Sequence, residues 1–185
     1  CLPEEADLIN AEGARVRLPV RDQGALVEIN SQNVAGKLSA APTGAVDPSE
    51  YDLVALAMQE PQYSSPGVRE LMNDIAKVRV PCMSIMNMPP PPYLARLPGL
   101  DVSALNDCFT DHNIWDNFDP GMMTLCSPDA QAFRPPEAKV NLLQVGLPTN
   151  FKAAQFDSNQ HNYMLRQLAA DIEAIRYSYG GESIA

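Results

Sequence analysis

At 185 residues the chain is long enough for one domain with a substantial core, and its hydrophobic fraction of 45% is that of an ordinary globular protein. Twenty-three acidic residues against 13 basic ones leave a formal net charge of −10, which argues against a phosphate-backbone surface and against an anionic membrane. The four cysteines, Cys1, Cys82, Cys108 and Cys126, are too widely spaced for a zinc motif, and no apolar run reaches the length of a membrane span. The expectation is a cytoplasmic protein without a metal site, with a small molecule as its partner and neither nucleic acid nor membrane. A homo-oligomer stays open.

In chain order, Pro3 to Glu12 reads as a short helix, with Pro3, Glu4 and Glu5 in its first turn and Gly13 just past its end. Ala14 to Arg21 alternates like a strand, although Pro19 pushes it toward an edge or an early end. Two weaker strand signals follow, Leu26–Ile29 and Val34–Leu38.

The stretch from Tyr51 to Pro92 organises the chain. Leu53-Val54-Ala55-Leu56-Ala57-Met58 has the length and composition of a buried strand. A polar turn, Gln59 to Ser65, leads to a helix with Ser65 as cap, Pro66 at its first position and an apolar stripe at Val68, Leu71, Met72 and Ile75. Val80 to Met86 is a second buried strand ending at Asn87. Strand, helix and strand of these lengths make a right-handed βαβ crossover. Gln59, Gln62 and Asn87 then fall at the C-terminal strand ends, where open α/β sheets bind ligands.

Beyond this unit, Pro89 to Pro92 reads as polyproline II, and Asp101 caps a short turn reaching Cys108. Thr110 to Pro120 reads as an ordered loop around Trp115. Strand signals return at Met122–Cys126 and Lys139–Val145, with a weaker one from Phe151 to Phe156. A capping box at Asp157 to Gln160 opens a long helix carrying Leu165, Leu168 and Ile172. Residues 1–177 read as one domain and 178–185 as a flexible tail.

Gly13 to Arg21, Asp52 to Gln62 and Pro81 to Asn87 together resemble the cofactor domain of the ketopantoate reductase family, and opine dehydrogenases share much of the pattern. The resemblance implies a Rossmann-like, doubly wound α/β fold. Its sheet would be mostly parallel, with extra strands near the C-terminal end and the first βα unit missing or truncated. It implies NADP as cofactor, with NAD as the alternative, and hydride transfer to or from a 2-keto or 2-hydroxy acid. Arg21 would meet the 2′-phosphate, and Gln59, Gln62 and Asn87 would meet the cofactor.

The departures are specific. Gln59 stands where the family usually has lysine, Met88 replaces a glycine, and none of the ten glycines forms the G-x-G of a dinucleotide loop. No catalytic residue is assigned. A non-catalytic Rossmann-like binding or assembly module is the rival reading.

Overall fold

The structure, a computed structural model, describes residues 1–19, 26–86, 88–126, 132–145 and 152–180, with side chains described as far as residue 173. It divides into two compact units, the first made of Cys1–Ala45, Asp129–Asn150 and Asp171–Ala185, the second of Val46–Pro128 and Phe151–Ala170.

In the first unit, helix α1 (Pro3–Glu12) ends at Gly13, whose φ of 78° is open to glycine and strained for other residues. Strand β1 (Arg15–Pro19) then pairs antiparallel with β2 (Leu26–Asn30) and parallel with β7 (Leu142–Val145), which pairs antiparallel with β6 (Ala132–Phe133). The sheet order is therefore β2-β1-β7-β6. β1 is interior, so Pro19 marks the end of its described ladder and not an edge strand. The second strand expected at Val34–Leu38 does not form. A short 3-10 turn at Ser31–Asn33 leads instead into exposed irregular chain, with Val34 and Leu38 both facing solvent. An apolar run without a neighbouring strand to pair with gains nothing from extension.

The second unit holds the βαβ crossover. Strands β3 (Val54–Leu56), β4 (Cys82–Ser84) and β5 (Met123–Leu125) are parallel in that order. Helix α2 (Val68–Val78) lies between β3 and β4 in sequence, and its Met72, Ile75 and Ala76 are buried. Alternation along the strands divides the core. Leu56, Cys82, Met86 and Met123 join α2, Tyr63 and Trp115 on one face. Met83 and Cys126 face Phe156 and, from helix α4 (Asn159–Gly180), Leu165 on the other. Helices thus cover both faces, as parallel sheets require.

Three local details differ from the sequence expectation. Gly67, not Ser65, is the N-cap of α2, so Pro66 lies outside the helix; the Ser65 carbonyl instead accepts the Arg69 amide at 3.0 Å. Pro91 and Pro92 occupy the first turn of a short helix α3 (Pro91–Leu94), where a missing N–H costs nothing. β3 is an edge of its sheet, so Leu56 is buried while Val54 is half-buried and Ala55 exposed.

Arg96, following α3, is the main polar tie of this unit. It donates to the carbonyls of Met123 at 2.8 Å and Gln155 at 2.6 Å, and pairs with Asp157 at 3.0 Å. Burial pushes the Cys82 thiol up to about 12, so the thiolate needed for reaction is absent near neutral pH. Cys82 and Cys126 are buried, whereas Cys1 and Cys108 are exposed. Titration of the native protein with a disulfide reagent should therefore modify two thiols rapidly and the other two only after denaturation. Rapid reaction of all four would contradict this burial pattern.

Candidate functional site

The C-terminal ends of β3, β4 and β5 form the edge at which a parallel α/β sheet receives a ligand. β3 leads through Met58 into a 3-10 turn, Glu60–Ser64, with Gln59 as its N-cap and Gln62 within it. The structure brings them together: the Gln59 amide donates to Gln62 Oε1 at 2.8 Å. This bond consumes one end of the Gln62 carboxamide and leaves its NH2 group as the free donor. Gln59 and Gln62 are both exposed. Arg21 and Asn87 lie outside the described residues.

The turn is fixed from both sides. The Met58 amide donates to Tyr63 Oη at 3.2 Å, and Tyr63 is fully buried, with its ring 5.3 Å from that of Trp115. Burial raises the Tyr63 hydroxyl to about 12, so it remains a protonated phenol through the physiological range. On the outer side, the Glu60 carboxylate accepts from the Thr110 amide at 2.9 Å and from Thr110 Oγ1 at 2.7 Å. Sequence reading missed Glu60 and Thr110 because fifty residues separate them, and nothing local marks either as a partner.

The segment after Thr110 is held by α2. Arg69 pairs with Asp111 and Arg79 with Asp119, one arginine at each end of the helix. Between them, Ile114, Trp115 and Phe118 are buried. The hydrogen bond from Arg69 holds the Asp111 carboxyl below its usual range, supported by the Asn113 amide and side chain. A depressed carboxylate contributes stability above its unfolded value, and that stability is lost as pH falls. The loss should begin below about pH 4, where the unfolded chain takes up its proton first. Asp111→Asn should lower Tm modestly near neutrality, because the pair is only partly buried, and flatten the fall in melting temperature on acidification by the same amount, so that the two proteins converge in acid. An unaltered acid slope would mean that the pair does not persist in solution.

Two cavities lie away from this edge. One of about 240 Å3 runs along β3 between Val46, Leu53, Ala55, Leu71 and Ile75, and its lining is mostly apolar. The other, about 270 Å3, sits at the N-terminal strand ends with Asp52, Gln160 and His161 in its wall. Among the described residues no group of three or more His, Cys, Asp or Glu is placed to hold a metal ion. No helix among them is long and apolar enough to cross a membrane.

A parallel three-stranded core with helices on both faces defines a Rossmann-like α/β protein, and the sheet of the first unit adds one parallel pairing, β1 with β7, to two antiparallel ones. No family model and no curated protein matches the chain. A solved structure described as a ketopantoate reductase from Ralstonia solanacearum MolK2 is similar in fold, with a TM-score of 0.56 and 13% identity. The match covers 90% of this chain and 47% of that one, so the chain spans about half the length of that structure.

Proposed function

We propose that this chain is a nucleotide-cofactor-binding domain of an NAD(P)-dependent oxidoreductase, acting in hydride transfer to or from a 2-keto or 2-hydroxy acid. The observation that carries the reading is the Gln59–Gln62 turn at the C-terminal edge of β3, on a fold similar to that of a ketopantoate reductase. In this reading the cofactor lies across the ends of β3 and β4. Gln62 donates its free NH2 to an acceptor atom on the cofactor, and Arg21 compensates the 2′-phosphate that distinguishes NADP from NAD. The nicotinamide supplies the hydride chemistry, and the protein binds and orients it.

Binding should be weak. With no G-x-G among the ten glycines, the chain lacks the loop that lets a pyrophosphate approach the backbone closely. Ligand-detected NMR titration should show saturable NADPH binding with a dissociation constant of roughly 0.1–1 mM, or about 4–5.5 kcal/mol. NADH should bind more weakly, and Arg21→Ala should abolish that preference. Equal loss for both cofactors would assign Arg21 a structural role. The missing glycine loop favours the rival reading, a binding or assembly module, and absence of any binding at millimolar cofactor would decide for it.

A further inference from the structure

Glu60 is the one carboxylate on the candidate turn, and its position invites a catalytic reading that its hydrogen bonds contradict. Both oxygens are already engaged, Oε1 by the Thr110 amide and Oε2 by Thr110 Oγ1. A carboxylate that accepts two such bonds is held in place and is poorly available as a proton carrier. We infer that Glu60 and Thr110 form a clamp that positions the Gln59–Gln62 turn for its ligand, with Glu60 acting as a positioning residue and not as an acid or base. The inference rests on the cofactor reading for the identity of the ligand, though not for the clamp itself.

The geometry gives the clamp a defined task. The turn spans Glu60–Ser64 and follows a strand that, among the described residues, is an edge with no neighbour on its free side. Tyr63 anchors it to the core, and Glu60 ties it to Thr110, fifty residues further along the chain. Gln62 is itself held by the Gln59 amide, which fixes its carboxamide with the NH2 group outward. Releasing Glu60 would therefore leave the anchor at Tyr63 intact while freeing the face that presents Gln62. Ligand contacts from such a face would then bear the cost of ordering it at each binding event.

The test uses the whole 185-residue chain, in two arms. Hydrogen exchange at the amides of Gln59, Glu60, Gln62, Tyr63 and Ser64 reads the clamp without any ligand. NADPH titration by NMR reads its consequence. Glu60→Ala should speed exchange across the turn about tenfold and weaken NADPH binding by a similar factor, with little change in Tm. Thr110→Val, which keeps the amide donor, should give a smaller effect in the same direction. Glu60→Gln, which keeps one acceptor for that amide, should recover part of the loss. The double variant Glu60→Ala/Thr110→Val should be no worse than Glu60→Ala alone, as expected for two members of one interaction. Unchanged exchange in Glu60→Ala would overturn the clamp. Faster exchange with unchanged NADPH affinity would overturn its positioning role. If the unaltered chain binds no nucleotide, the cofactor reading falls, and with it the ligand assigned to this turn, while the exchange arm still decides the clamp.

Discussion

Trp115→Ala is expected to destabilise the second unit by about 3–5 kcal/mol, the range for truncating a buried aromatic side chain. Trp115 is 3% exposed, packs between Tyr63 at 5.3 Å and Phe118 at 5.6 Å, and belongs to the core cluster that includes Met72 and Ile75 of α2. Its removal would leave a cavity between α2 and the ends of the parallel strands. For a unit of this size the loss corresponds to a fall in melting temperature of more than about 10 °C. Trp115→Phe separates packing from hydrogen bonding. Among the described residues the buried indole Nε1 has no hydrogen-bond partner, and an unpaired buried donor itself costs about 1–3 kcal/mol. Phenylalanine discards that donor while keeping most of the ring contact, so its net cost should stay below about 1.5 kcal/mol. Circular dichroism can follow both variants. A cost for Trp115→Ala no larger than that of Trp115→Phe would mean that the ring is not packed as described.

The elements that local chemistry specifies were legible from residues alone. The stripe at Val68, Leu71, Met72 and Ile75 makes one buried face of α2, because helical spacing fixes which residues share a side. Asp101 caps its 3-10 turn by accepting the Ser103 amide at 3.0 Å, a bond between neighbours two positions apart. Leu53 to Met58 and Val80 to Met86 were recognisable as strands, yet their unequal burial was not. Composition cannot tell an edge strand from a central one, and only the order β3-β4-β5 places β4 between two partners. Val34–Leu38 failed for the same reason, since a strand needs a neighbour that the run itself does not encode. Of the candidate site, Gln59 and Gln62 lie within one turn and were accessible to sequence reading. The Glu60–Thr110 clamp, which closes a long loop, was not. Burial of Tyr63 and its hydroxyl bond to Met58 are likewise products of the crossover geometry.

Gly13→Ala is expected to cost the first unit about 2–4 kcal/mol, from two sources that can be measured apart. The first is conformational: φ 78° with ψ 166° lies in a region essentially confined to glycine, worth about 1–3 kcal/mol to any other residue. The second is steric. A Cβ at this position would stand 2.3 Å from Asn30 Oδ1 and 3.0 Å from both Gln32 Cγ and Ser31 Oγ. Asn30 cannot simply turn aside, because its Nδ2 donates to the Glu12 carbonyl at 3.1 Å and its Oδ1 accepts the Gln32 amide at 2.9 Å. Moving it would break the cap of the Ser31–Asn33 turn and loosen the end of β2. The Gly13 carbonyl meanwhile accepts from Asn141 Nδ2 at 2.7 Å, so a shift of Gly13 itself would disturb the approach to β7. Gly36→Ala supplies the comparison: its φ is 98°, but nothing lies within 4 Å of the added methyl. That variant should show the conformational cost alone, about 1–3 kcal/mol. Hydrogen exchange at residues 15–18 and Leu26–Asn30, in the strands that follow Gly13 and end at Asn30, reads how far each change reaches into the sheet. Exchange in Gly13→Ala faster than in Gly36→Ala by a factor of about five or more would establish the clash with Asn30 as the larger part of the penalty. Equal acceleration in the two variants would reduce Gly13 to a backbone requirement and remove Asn30 from the account.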